Sequence, residues 1–233
     1  MLKKLKQELQ NFKNKERAII SSRFFKTGKG QYGEGDVFLG ITVPQQRAIA
    51  KKYSQLSLNE IEKLLSDKIH EYRLIALIIL VAKYKKSNEK EKKEIAEFYL
   101  NNAKSVNNWD LVDSSAHQIL GNYLFEKDKT ILYTFATSKN LWERRIAIIS
   151  TYHFIQNNQY ENVFKISEIL LNDTHDLIHK AVGWMLREVG KRNQKEEEDF
   201  LMKHYKKMPR TMLRYAIEKF EEGKRKKYLD FEV

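Results

Sequence analysis

Apolar residues at Leu2, Leu5, Leu9 and Phe12, separated by charged positions, open the chain on an amphipathic helical pattern. From Pro44 onward apolar residues return every three or four positions, in segments broken by Asn, Ser, Asp and Lys clusters. The spacing predicts about a dozen helices, near 2–25, 44–53, 57–66, 70–85, 88–103, 108–125, 127–137, 140–156, 160–171, 175–191, 195–206 and 209–222. No stretch alternates polar and apolar residues for long enough to build a sheet, so the fold class is all-α.

Several of these helices align on a small residue that follows a charged one. HEYRLIA, WERRIA, LIHKA and MLRYA end at Ala76, Ala147, Ala181 and Ala216, and WDLVDSSA ends at Ala116. Successive alanines are 40, 31, 34 and 35 residues apart. Two antiparallel helices and two turns occupy about that length, which predicts a superhelical solenoid of HEAT-like helix pairs forming a single domain over 1–233. The aligned helices, rich in Arg, Lys and Trp near their N-terminal turns, are the expected inner layer. Arg73, Arg144, Arg145, Lys180, Arg187, Lys191, Arg210 and Arg214 would then collect on a basic concave face, although each charge equally suits an ordinary solvated helix face.

Composition narrows the partners. The 233 residues carry 43 Lys+Arg against 31 Asp+Glu, a formal charge of +12, which points to a polyanion or an anionic surface without choosing between them. Only Pro44 and Pro209 are present, consistent with helices joined by short turns. The lack of cysteine excludes disulfide scaffolds, thiolate zinc sites and cysteine nucleophiles. The longest apolar stretch, Leu74–Ala82, has nine residues, against the ~20 of a membrane-spanning helix, and the start of the chain lacks a signal-peptide core. A soluble cytoplasmic monomer is expected, with no membrane association.

Residues 26–44 hold five of the nine glycines and form the one plainly non-helical segment. Gly28, Gly30 and Gly33 satisfy G-x-G-x-x-G formally, but a helix precedes them instead of a strand, so a dinucleotide site is rejected. A connecting loop is expected, with backbone amides and Lys29 as a phosphate contact in its functional version. Asp36 is expected to cap or hydrogen-bond within that loop, and the sequence leaves this open. His175 and His179 stand four apart but lack the Glu of HExxH and a third ligand, so no metal and no cofactor is expected. His70, His117, His153 and His204 are isolated and are expected to be satisfied or exposed.

The three tryptophans, Trp109, Trp142 and Trp184, all lie on candidate inner helices. Core packing is the ordinary role of a helical tryptophan, and Trp142 suits it. Trp109 differs because Asp113 follows four residues later, placing an aromatic ring and a carboxylate on one helix face. A carboxylate in a basic groove repels a polyanion and suggests a chemical role, while an N-terminal-turn Asp also suits capping. Trp184 is followed at i+3 and i+7 by Arg187 and Lys191.

The runs NNWDLVD, LWERRIAI and KAVGWMLREVGKR, together with YGEGDVFLGITVPQQRAIAKKY, resemble the AlkD family of DNA-alkylation-repair glycosylases from about residue 30 to about residue 220. The resemblance implies HEAT-like repeats and removal of positively charged N3- or N7-alkylated purines from duplex DNA. Carried over by position, it places the catalytic acid on Asp113, the aromatic site residues on Trp109 and Trp184, and a DNA-contacting arginine on Arg145. One departure is visible, since some members have a second tryptophan where this chain has Asn108. Two other classes stay open: a catalytically silent nucleic-acid-binding solenoid, and a HEAT-type protein scaffold.

Overall fold

A computed structural model describes all 233 residues and is helical throughout, the one β feature being an isolated bridge between Val37 and Ile69. The helices are α1 Leu2–Gln10, α2 Lys15–Phe24, α3 Val43–Lys52, α4 Leu58–Leu65, α5 His70–Tyr84, α6 Glu89–Asn101, α7 Trp109–Asp113, α8 Asn122–Leu124, α9 Thr130–Ala136, α10 Leu141–Gln156, α11 Glu161–Leu170, α12 Asp176–Gly190, α13 Gln194–His204, α14 Arg210–Ala216 and α15 Glu222–Asp230. They fall into two compact units, Met1–Ser115 and Ala116–Val233.

Local chemistry sets most helix starts. Ser57 and Glu60 exchange side-chain and backbone hydrogen bonds at the head of α4, and Asn88 and Glu91 do the same at α6. Within the first unit α5 packs against α3, α4, α6 and α7, and it is buried almost continuously from His70 to Val81. Within the second unit α10, α12 and α14 pack in succession, with α9, α11 and α13 as their partners. This is the layered pairing that the alanine alignment predicts. Ala76, Ala116, Ala147, Ala181 and Ala216 are all fully buried, because a small side chain lets the neighbouring helix approach. Gly183 takes this furthest: a Cβ there would stand 2.4 Å from the Met212 carbonyl oxygen, so α12 and α14 need glycine at that point.

Three segments differ from the periodicity. The expected helix over 2–25 is two helices, because Asn14 leaves helical geometry and its side chain accepts the Arg17 amide to start α2. The expected helix over 108–125 breaks after Asp113 into a turn and a wider π-helical stretch, His117–Gly121, before α8. Here the hydroxyls of Ser114 and Ser115 both bond the Leu111 carbonyl, offering the backbone an alternative to a continuous helix. The last expected helix, 209–222, ends at Ala216 with a 3-10 turn, and α15 follows as an unanticipated addition.

Candidate active site

Helix α7 carries the first candidate pair. Leu111 and Val112 are fully buried and fix the inner side of this short helix, which leaves Trp109 and Asp113 partly exposed. Asn108 caps it, accepting the Trp109 amide at 2.8 Å, and is itself fully buried. Asn108, the position at which the resemblance shows a departure, is thus a cap and not part of an aromatic wall. Trp109 stacks on Phe25, with centroids 5.2 Å apart and planes at 15°, and meets Phe24 edge-on at 5.8 Å. The Asp113 carboxylate lies close enough to the buried Tyr99 to add to the burial that raises that phenol's pKa.

Beneath this aromatic layer sits a buried ionic cluster. Asp36, from the glycine-rich loop, accepts the Arg73 guanidinium at 2.6 Å, His70 Nδ1 at 3.1 Å and the Asn108 amide at 3.1 Å, all on Oδ2. His70 Nε2 is 2.8 Å from Asp110 Oδ2. Burial works against a charged imidazole, but the Asp110 charge and the hydrogen bonds to both acids outweigh it and hold the His70 pKa at about 9. Burial likewise works against the Asp36 carboxylate, and His70 and Arg73 together hold its pKa below the ordinary value. The His70 ring stacks on Phe38 at 4.6 Å and lies 4.8 Å from Phe25.

The glycine-rich loop is occupied by the protein's own groups. The amides of Leu39, Gly40 and Ile41 all donate to the Glu71 carboxylate, which is buried. Gly40 has φ +80, and a Cβ there would meet the Asn14 carbonyl oxygen at 2.2 Å, so glycine is required where the loop crosses the head of α2. The Gly28 and Gly30 amides are bonded to Gln31 and Glu34 within the loop, while Lys29 is exposed.

In the second unit, Trp184 lies on α12 and is partly exposed. Its indole Nε1–H donates to Glu188 at 3.1 Å, and its ring is 6.0 Å from that of Tyr152, which in turn meets His117 edge-on at 5.2 Å. Trp142 is buried.

The expected cations divide sharply. Arg73 and Arg145 are 5% and 4% exposed, which corrects their reading as open charges on a face. Arg73 is committed to Asp36, and Arg145 donates to the Leu177 carbonyl. Arg144 is partly exposed and pairs with Asp173 at 2.6 Å; Arg187 pairs with Glu218. Lys180 and Lys191 are more open and pair within α12, with Asp176 and Glu188, each at 2.6 Å. Asp36, which the sequence leaves open between capping and hydrogen bonding within the loop, instead bonds Arg73, His70 and Asn108 outside it. Sequence reasoning missed Phe25 and Tyr152 as ring neighbours of Trp109 and Trp184, and His70 and Asp110 as members of the ionic cluster.

No group of three or more His, Cys, Asp or Glu side chains is placed to hold a metal ion. His175 instead accepts the Leu177 amide at the head of α12, and His179 bonds the Asp173 carbonyl. No helix is long and apolar enough to cross a membrane.

The family described as DNA alkylation repair enzyme matches residues 5–220, and the chain belongs to it. A solved structure described as a predicted DNA alkylation repair enzyme from Enterococcus faecalis is similar in fold, with a TM-score of 0.71 and 20% identity, over 90% of this chain and 97% of that one. No protein of curated function matches the chain.

Proposed function

We propose that this DNA alkylation repair protein is a glycosylase that hydrolyses the N-glycosidic bond of N3- or N7-alkylated purines in duplex DNA. The observation that carries the reading is α7, where Trp109 and Asp113 stand one turn apart, both partly exposed on a helix whose other side is buried. An alkylpurine of this kind is already cationic, so its C1′–N bond is weak and the base leaves neutral, taking the bonding electron pair. No strong general acid is required. Positive charge moves to the deoxyribose as the bond breaks, giving an oxocarbenium-like transition state. Water then bonds to C1′ and gives up a proton, leaving an abasic site.

Only contacts that strengthen in the transition state accelerate this step, and a carboxylate beside the sugar meets that condition. Opposite charges about 4 Å apart attract by about 4 kcal/mol at an effective dielectric near 20, and the catalytic part is the smaller difference between the two states. Asp113 has this role and orients the attacking water. Trp109 in the first unit and Trp184 in the second are each suited to contact with a cationic base, a contact worth about 0.5–2 kcal/mol. Lys29 is an exposed cation suited to phosphate, and Lys180, Lys191, Arg144 and Arg187 join it by exchanging carboxylate partners. Arg145, which is buried and bonded to the Leu177 carbonyl, reaches DNA only by leaving its present partners.

The test is release of N7-methylguanine from methylated duplex DNA by wild type and by Asp113→Asn. Wild type should release the base above the spontaneous rate, and the variant should be slower by about 10²–10³-fold, the usual effect of removing one preorganised electrostatic group. Absence of release by wild type overturns the enzyme reading. Equal release by both proteins overturns the role of Asp113.

A further inference from the structure

Nothing in the proposed chemistry uses the buried cluster of Asp36, His70, Arg73, Asn108 and Asp110. Its members come from three separate elements: the glycine-rich loop, α5 and α7. The last is decisive, because α7 has five residues and a helix that short has no stability of its own. Its direction must come from what holds its first turn. Asn108 and Asp110 belong to that turn, and both are tied into the cluster. Asn108 caps α7 with its oxygen while its nitrogen bonds Asp36, and Asp110 bonds the Leu111 amide with one oxygen and His70 with the other.

We propose that His70 is a positioning residue: by bridging Asp36 in the glycine-rich loop to Asp110 in the first turn of α7, it sets the direction in which α7 presents Trp109 and Asp113. The inference rests on the glycosylase reading for its kinetic consequence and on geometry alone for its structural one. Two contacts support it independently of the hydrogen bonds. The His70 ring fills the space beside Phe38 and Phe25, and Phe25 is the ring on which Trp109 stacks. Charge is balanced as well, since the groups facing His70 are Asp36 from the loop, Asp110 from α7 and Arg73 from its own helix, with neutral Asn108 beside them. A neutral side chain at position 70 leaves two carboxylates against one guanidinium in a buried site, which drives the α7 turn away from the loop.

The experiment compares wild type with His70→Gln, which keeps bulk and a hydrogen bond but neither the charge nor the second bridge. In single-turnover release of N7-methylguanine the variant should be slower by about 10²-fold, the scale expected when reacting groups are misplaced by about 1 Å, with affinity for undamaged duplex unchanged. His70→Gln combined with Asp113→Asn should be slower than Asp113→Asn alone by far less than about 10²-fold, because a misaimed carboxylate and a missing one are the same loss and only the Trp109 contact is left to misplace. Wild type should also lose rate as pH rises through the His70 pKa of about 9, and the variant should lack that step.

A second readout does not depend on activity. In the Trp142→Phe/Trp184→Phe protein, where Trp109 is the one remaining indole, His70→Gln should make emission more accessible to acrylamide. If His70→Gln does not fold, Asp110→Asn, which removes the charge facing the imidazole and keeps its shape, is read in the same two assays. Should wild type release no base, the glycosylase reading falls and the quenching result alone decides the positioning role. A folded variant with unchanged rate and unchanged quenching overturns it, as does a double variant whose losses multiply.

Discussion

Trp109 and Trp184 are both partly exposed indoles, yet they are held by opposite means. Trp184 sits near the middle of the 15-residue α12, where buried Ala181, Val182, Met185, Leu186 and Val189 fix the helix against its neighbours and the indole needs one hydrogen bond, to Glu188. Trp109 begins a five-residue helix whose first turn, with its own Asn108 cap and Asp110, depends on an acid, an imidazole and an arginine that reach it from the loop and α5. Long helices place their side chains by burying a continuous face; a single turn has to be placed by side chains that reach it. The second solution costs buried charge, and it holds only while every partner is present.

The largest effect should come from breaking the ionic support in one unit and its nearest counterpart in the other. Arg73→Gln removes one partner of a buried pair and should cost about 3–5 kcal/mol in urea unfolding. Arg187→Gln breaks the partly exposed pair with Glu218 and should cost about 1 kcal/mol or less. Equal losses would dissolve the contrast.

A smaller effect tests the tryptophans themselves. Trp109→Phe and Trp184→Phe should each lower the release rate, with the weaker cation–π contact of phenylalanine accounting for no more than about 2 kcal/mol. Trp109→Phe should leave the melting temperature nearly unaltered if the cluster, and not the indole, holds α7.

The last is a slope. His70, with its pKa raised from 6.5 to about 9, binds more protons folded than unfolded, so its stabilisation is complete below pH 6.5 and is lost as pH rises toward 9. In the second unit, burial, reinforced by Glu198 and opposed by Arg187, raises Glu197 from 4.5 to about 9, so the folded chain again binds the extra proton and stability falls with rising pH from about 4.5 upward. Each group contributes at most about 1.4 kcal/mol per pH unit. Glu197→Gln should therefore flatten the decline in melting temperature from pH 4.5 upward, and His70→Gln only above 6.5. Identical profiles would show that the two buried groups do not titrate as described.

Much of this was legible in the order of residues. The five alanines mark buried contacts because small residues at helix crossings recur with the repeat, and Trp109 with Asp113 is visible because four residues make one helical turn. The Asn14 break was present as a capping residue inside an apolar pattern that outweighed it. The ionic cluster was not legible: His70 lies 34 residues from Asp36 and 40 from Asp110, and no periodicity links a loop, a helix start and a single turn. Nor could the sign of Arg73 or Arg145 reveal that each is buried, since sequence gives a charge and folding chooses its partner.

The Glu71 carboxylate has a consequence of another kind. Convergent backbone amides such as those of Leu39, Gly40 and Ile41 elsewhere make a cradle for phosphate. In this chain the cradle arrives already filled, by an anion that the protein carries itself. The Leu39–Ile41 end of the loop is therefore held before any DNA is met, and association has less of its conformational entropy left to remove. In this sense Glu71 is an internal template, and its service to binding is complete when folding ends.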